Sequence, residues 1–68
     1  MKYIIIGYSN PNIQTFKADI RILCKNDSAI WWSNNADDSY WLFDTRKQAE
    51  EYMQLFSLSN CITYGIYV

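Results

Sequence analysis

Residues 2–8, KYIIIGY, are apolar on both faces of an extended chain. Ile4, Ile6 and Tyr8 fall on one side, and Tyr3 and Ile5 on the other. Such a run predicts a strand inside a sheet rather than at its edge. Ser9, Asn10, Pro11 and Asn12 form a dense turn signal. From 16 to 25 the alternation is clean: Phe16, Ala18, Ile20, Ile22 and Cys24 point one way and Lys17, Asp19, Arg21 and Lys25 the other, with Leu23 the exception. That pattern predicts a half-buried antiparallel strand. Lys25, Asn26, Asp27 and Ser28 then turn the chain, since Asn and Asp accept the left-handed conformations of tight hairpins. Residues 29–33 return as a third strand. After a polar loop over 34–39, residues 40–43 make a short fourth strand or an extended lead-in.

The period then changes from two to three and four. Ala49, Tyr52, Met53 and Phe56 stand at i, i+3, i+4 and i+7, one apolar stripe of a helix. Thr45 and Gln48 have the spacing of a capping box, in which threonine closes the first amides and glutamine reaches back. Arg46 with Glu50 and Lys47 with Glu51 are spaced as pairs along the outer face. Residues 57–60 end the helix, and 62–68 form the last strand, with Ile62, Tyr64, Ile66 and Val68 on one side. The expected fold is therefore α+β. An antiparallel sheet of three to five strands carries a single helix over 46–58 on one face, in the order β-β-β-(β)-α-β. One amphipathic helix covers one face of such a sheet. The opposite face must be polar or must meet something.

Composition sharpens this picture. A chain of 68 residues is one domain at most, near the lower limit for folding without staples. Twelve of its residues are Phe, Trp or Tyr, and it has only two glycines and one proline. Disordered chains lack such rings because they cannot bury enough apolar area to offset chain entropy. The net charge of −1 gives no global field toward nucleic acid or an anionic membrane. The charges divide along the chain, with an excess of +3 over residues 1–25 and of −4 over 26–68. No apolar stretch approaches the length of a membrane span, and the N-terminal run, broken at Gly7, is too short for a signal peptide. Both features point to a cytoplasmic protein with no membrane partner. There Cys24 and Cys61 are expected as thiols, small buried hydrophobes.

Little here points to catalysis. The chain has no histidine, so the usual general base at neutral pH is missing. Two cysteines 37 positions apart cannot build a four-ligand zinc site. Asp37 and Asp38 are adjacent in a polar loop, where two solvated acids are the expected state. With Asn34 and Asn35 they offer oxygen ligands, but the glycine and terminal glutamate of an EF-hand loop are absent. No glycine-rich phosphate loop exists. The expectation is a protein that is not an enzyme and holds no cofactor and no metal.

Binding fits better. All three tryptophans lie within WWSNNADDSYW, residues 31–41. Interfaces concentrate their energy in a few Trp, Tyr and Arg side chains ringed by polar groups. Trp31 and Trp32 are consecutive on a strand and so point to opposite faces. Pairing Ile30 and Trp32 inward makes Trp31 the outward ring. Trp41 and Phe43 share the buried face, and Tyr40 and Leu42 the other. The expected partner contacts are Trp31, Asn34, Asn35, Asp37, Asp38 and Tyr40: rings for buried area, amides and acids for orientation. Direct nucleic-acid binding is the alternative, through exposed rings and a basic stripe of Lys17, Arg21 and Lys25. The acidic half of the chain repels phosphates and argues against it. A homodimer through the helix-free sheet face is a further alternative.

The segments YWLFDTRKQAEEYMQLF, residues 40–56, and CITYGIYV, residues 61–68, resemble very small phage-encoded proteins. In these, aromatic strands lead to Phe-Asp/Ser-Thr, then a helix with Ala four residues after the threonine, then a terminal strand. Here those positions are Phe43, Asp44, Thr45 and Ala49. Several anti-CRISPR proteins and inhibitors of host polymerase have this build, one helix on a small antiparallel sheet, and work by occluding a surface. The resemblance implies an inhibitor in the host cytoplasm whose partner is a host protein or nucleoprotein complex. Relatives that mimic DNA are strongly acidic. This chain departs from them, and mimicry by its whole surface is not implied.

Overall fold

A computed structural model describes residues 1–8, 20–34 and 39–67. The turn at 9–12, the expected strand positions Phe16, Lys17, Ala18 and Asp19, the loop residues Asn35, Asp37 and Asp38, and Val68 lie outside the described residues. The elements run β1 (Lys2–Tyr8), β2 (Ile20–Lys25), β3 (Ile30–Ser33), α1 (Arg46–Leu55) and β4 (Cys61–Ile66). The four strands form one antiparallel sheet in the order β3-β2-β1-β4. The fold is α+β in the expected order, and β1, apolar on both faces, is an interior strand.

Cross-strand register fixes which side chains share a face. Gly7 lies opposite Arg21 and Cys61, Leu23 opposite Trp32, and Tyr3 opposite Gly65. This is the helix side. Its core is Ile5, Leu23, Phe43 and Ala49, with Tyr3, Trp32, Trp41, Tyr52, Met53 and Cys61 packed around them. The expected orientation of β2 is reversed. Leu23, the exception to the alternation, sits under the helix, while Ile20, Ile22 and Cys24 point to the opposite face. Both sides of β2 are apolar at its centre, so alternation with the charged residues marks its ends and not its buried side. Arg21 and Lys25 rise at the rim of the helix side, where the Lys25 ammonium lies 4.5 Å from the centre of a Trp41 ring.

Residues 39–43 are not a full strand. They are an extended lead-in that crosses between β2 and β1. Lys25 N–H donates to the Ser39 carbonyl (3.1 Å) and Trp41 N–H to that of Leu23 (3.0 Å). Tyr3 and Phe43 exchange two such bonds at 2.9 and 2.8 Å. Trp41 and Phe43 thereby stack under the helix, centroids 4.7 Å apart, with Tyr52 against the edge of Trp41 at 4.7 Å.

The β2–β3 hairpin closes differently from expectation. Asp27 and Ser28 keep negative φ; among the described non-glycine residues only Ser57 and Asn60 are left-handed. The Asn26 side-chain oxygen instead accepts from the amides of Ser28 and Ala29, both at 2.8 Å, the hydrogen bonding by which Asn mimics a backbone turn.

Thr45 Oγ1 accepts from Gln48 N–H (3.1 Å), and Gln48 Oε1 accepts from Asp44 N–H (3.2 Å). The reciprocal cap closes one residue earlier than a capping box does. Lys47 and Glu51 approach to 4.0 Å along the outer face, while the Arg46 guanidinium lies over the Tyr3 ring. The helix ends at Leu55, short of the expected 58. Ser57, at φ 52°, donates to Gln54 O (3.1 Å), and Leu58 donates to Met53 O (2.9 Å). This is a Schellman closure. Phe56 is 57% exposed, so the apolar stripe outruns the core.

Trp32 reaches from β3 across β2 to β1. A Cβ on Gly7 would stand 2.9 Å from its ring. Gly7→Ala should therefore shift the tryptophan emission and destabilise the domain by about 1–3 kcal/mol, measured by urea denaturation. Ser57→Gly should have the opposite sign. Relief of left-handed strain, less the greater chain entropy of glycine, should add roughly 0.5–1 kcal/mol in the same assay.

Candidate functional site

The face turned away from the helix is as apolar as the face beneath it. One complete row across the sheet reads Ser33, Ile22, Ile6, Ile62. In the next, Trp31 and Tyr40 flank Cys24, one from β3 and the other from the lead-in segment. Ile4 stands opposite Tyr64, and Tyr8 opposite Ile20. Ile4, Cys24 and Ser33 are buried, whereas Tyr8, Ile20, Ile62 and Tyr64 are 41–57% exposed. Among the described strand residues, Lys2 is the only charged side chain on this face.

The sequence-predicted contact residues divide. Trp31 and Tyr40 are half-buried and come together on the helix-free face, either side of Cys24. Trp31 takes part in a further interaction of its own. Trp32 is the ring of the pair that packs toward the helix. Asn34 is exposed at the end of β3; Asn35, Asp37 and Asp38 lie outside the described residues. Of the basic stripe, Arg21 and Lys25 are on the helix side and Lys17 is outside the described residues. Sequence reasoning missed Ile20, Ile62 and Tyr64 as surface residues. Their alternation is visible in the sequence, but apolar alternation marks a face without saying which one the helix covers.

A cleft of about 410 Å³ opens on the helix side. It runs between the 57–61 turn and Gly7, Tyr8, Arg21 and Trp32. Cys61 lines it, donating its Sγ proton to the Ser59 carbonyl at 3.3 Å. Burial pushes the Cys61 thiol up, away from the thiolate that a nucleophile requires. Its described lining includes no carboxylate. Cys24 and Cys61 are both thiols outside any disulfide, on opposite faces of the sheet. Among the described residues no group of three His, Cys, Asp or Glu side chains gathers to hold a metal ion. No described helix is long and apolar enough to cross a membrane.

The Lys2 ammonium pairs with the Asp44 carboxylate, tying the basic N-terminal part to the acidic remainder at the helix start. The hydrogen bond and charge of Lys2 hold the Asp44 carboxyl below the usual carboxylate range, against a smaller effect of burial. Compared with family models, curated proteins and solved structures, the chain matches none.

Because the Asp44 pKa is depressed in the folded chain, the associated stabilisation is present above the ordinary carboxylate pKa. It is lost as pH falls through the lower, folded value. A carbon-detected NMR titration should place the Asp44 midpoint below that of a free aspartate. Lys2→Met should return it to the ordinary range; an unmoved midpoint would remove Lys2 as the cause.

Proposed function

We propose that the protein is a non-enzymatic binding module that occludes a surface of a protein partner, with the helix-free sheet face as its contact. The observation that carries this reading is the apolar character of that face, with Tyr8, Ile20, Ile62 and Tyr64 exposed around a buried centre. Contiguous apolar surface of this kind marks interaction sites. Trp31 and Tyr40, half-buried beside Cys24, are of the residue types that anchor interfaces. Asn34, Asn35, Asp37 and Asp38 would supply the polar rim, the acids meeting basic surface on the target. The resemblance to small phage inhibitors gives this module its most concrete form: an inhibitor of a host nucleoprotein or defence complex, acting in the host cytoplasm.

Tagged protein used as bait in nuclease-treated bacterial lysate should retain a defined protein. Ile20→Lys with Tyr8→Ser, at exposed positions, should fold normally and bind that protein at least tenfold more weakly, about 1.4 kcal/mol. Trp31→Ala should also weaken binding while the fold persists. Retention abolished by nuclease, or undiminished by the face substitutions, would sink this reading.

A further inference from the structure

We infer that the outer edge of β4 pairs with the same edge of a second copy about a two-fold axis, joining two four-stranded sheets into one. This rests on the sheet's edge and stands independently of the partner proposed above. Tyr8 N–H donates to Asn60 O at 2.9 Å, which sets the parity of the ladder. With Ile6 opposite Ile62, Ile4 opposite Tyr64 and Lys2 opposite Ile66, residues 62, 64 and 66 spend their backbone groups on β1. Cys61, Thr63 and Gly65 turn theirs outward, where no described strand lies.

Sheet edges are ordinarily blunted by charged side chains, proline, bulges or brevity. β4 has none of these. It is six residues long, CITYGI, without charge or proline, and its register with β1 is continuous from Cys61 to Ile66. The opposite edge, β3, is only four residues long. Self-pairing is favoured by what antiparallel β4 strands set side by side. On the helix side the row is Cys61, Thr63 and Gly65, small enough for close approach. On the other side Ile62 and Tyr64, now 48% and 55% exposed, gain each other's counterparts as neighbours. No like charges meet within the strand pair, which would oppose it. A two-fold axis makes the contact self-complementary and closed.

Sedimentation equilibrium of the full chain across the micromolar range should give a monomer–dimer equilibrium. Amide exchange read by NMR on the same samples locates the contact. The amides of Thr63 and Gly65 should exchange fast when dilute and become protected as dimer forms, whereas those of Ile62, Tyr64 and Ile66 stay protected throughout. Thr63→Pro removes an outward N–H and leaves the β1 ladder whole, so the variant should be a folded monomer. If it does not fold, Tyr64→Lys at an exposed position provides the same test by placing like charges near the axis. A chain monomeric at every concentration would overturn the inference. So would a dimer that survives the edge variants and dissociates on Ile20→Lys, since that result assigns pairing to the sheet face. Partner binding lost in Ile20→Lys while the edge fails to pair would leave the proposed function standing alone.

Discussion

Four backbone hydrogen bonds hold residues 39–43 between β2 and β1, and most of the molecule is arranged around them. Each is worth on the order of 1 kcal/mol net. Their larger effect is positional. They carry Trp41 and Phe43 beneath the helix, set Tyr40 against Cys24 on the other face, and deliver Asp44 and Thr45 to the point where α1 begins. A ten-residue helix is marginal alone in water. It persists here because Ala49 is fully buried and Tyr52 meets Trp41 and Phe43.

The core is consequently a small centre of Ile5, Leu23, Ala49 and Phe43, enclosed by partly buried rings laid across the strands. Trp32 spans β2 to reach Gly7, and Trp41 is sheltered from outside by Lys25. Long cationic side chains commonly cover apolar surface with their stems while their heads stay wet. That use absorbs one of the basic residues which, read along the chain, looked like a stripe for phosphates.

The element order, β1 and the helix start were legible because each had a local cause: an apolar run, a threonine cap, a change of period. The face of β2 was not. Deciding between Leu23 and the Ile20, Ile22, Cys24 row needs the position of the helix, which depends on contacts distant in sequence. The hairpin at Asn26 was placed correctly, yet its mechanism was misread, because side-chain capture of two amides and left-handed backbone share the same residue types. For the candidate site, Trp31 and Tyr40 could be assigned to one face from alternation alone. The isoleucines and Tyr64 that surround them are indistinguishable in sequence from core.

A sheet that is apolar on both faces loses the usual protection against slippage. Where one face is wet, shifting a strand by one residue drives its apolar set into water; here the shifted set would land on another apolar face. What opposes such a slip is shape. The chain's two glycines both sit on the helix side, Gly7 beneath Trp32 and Gly65 beneath Met1 and Tyr3. Moving β1 or β4 by one place would bring a neighbouring side chain to the spot where a ring already lies. Two missing methyl groups thus act as the alignment keys of the sheet, and the fidelity with which the chain finds its native pairing depends on them more than on its hydrophobicity.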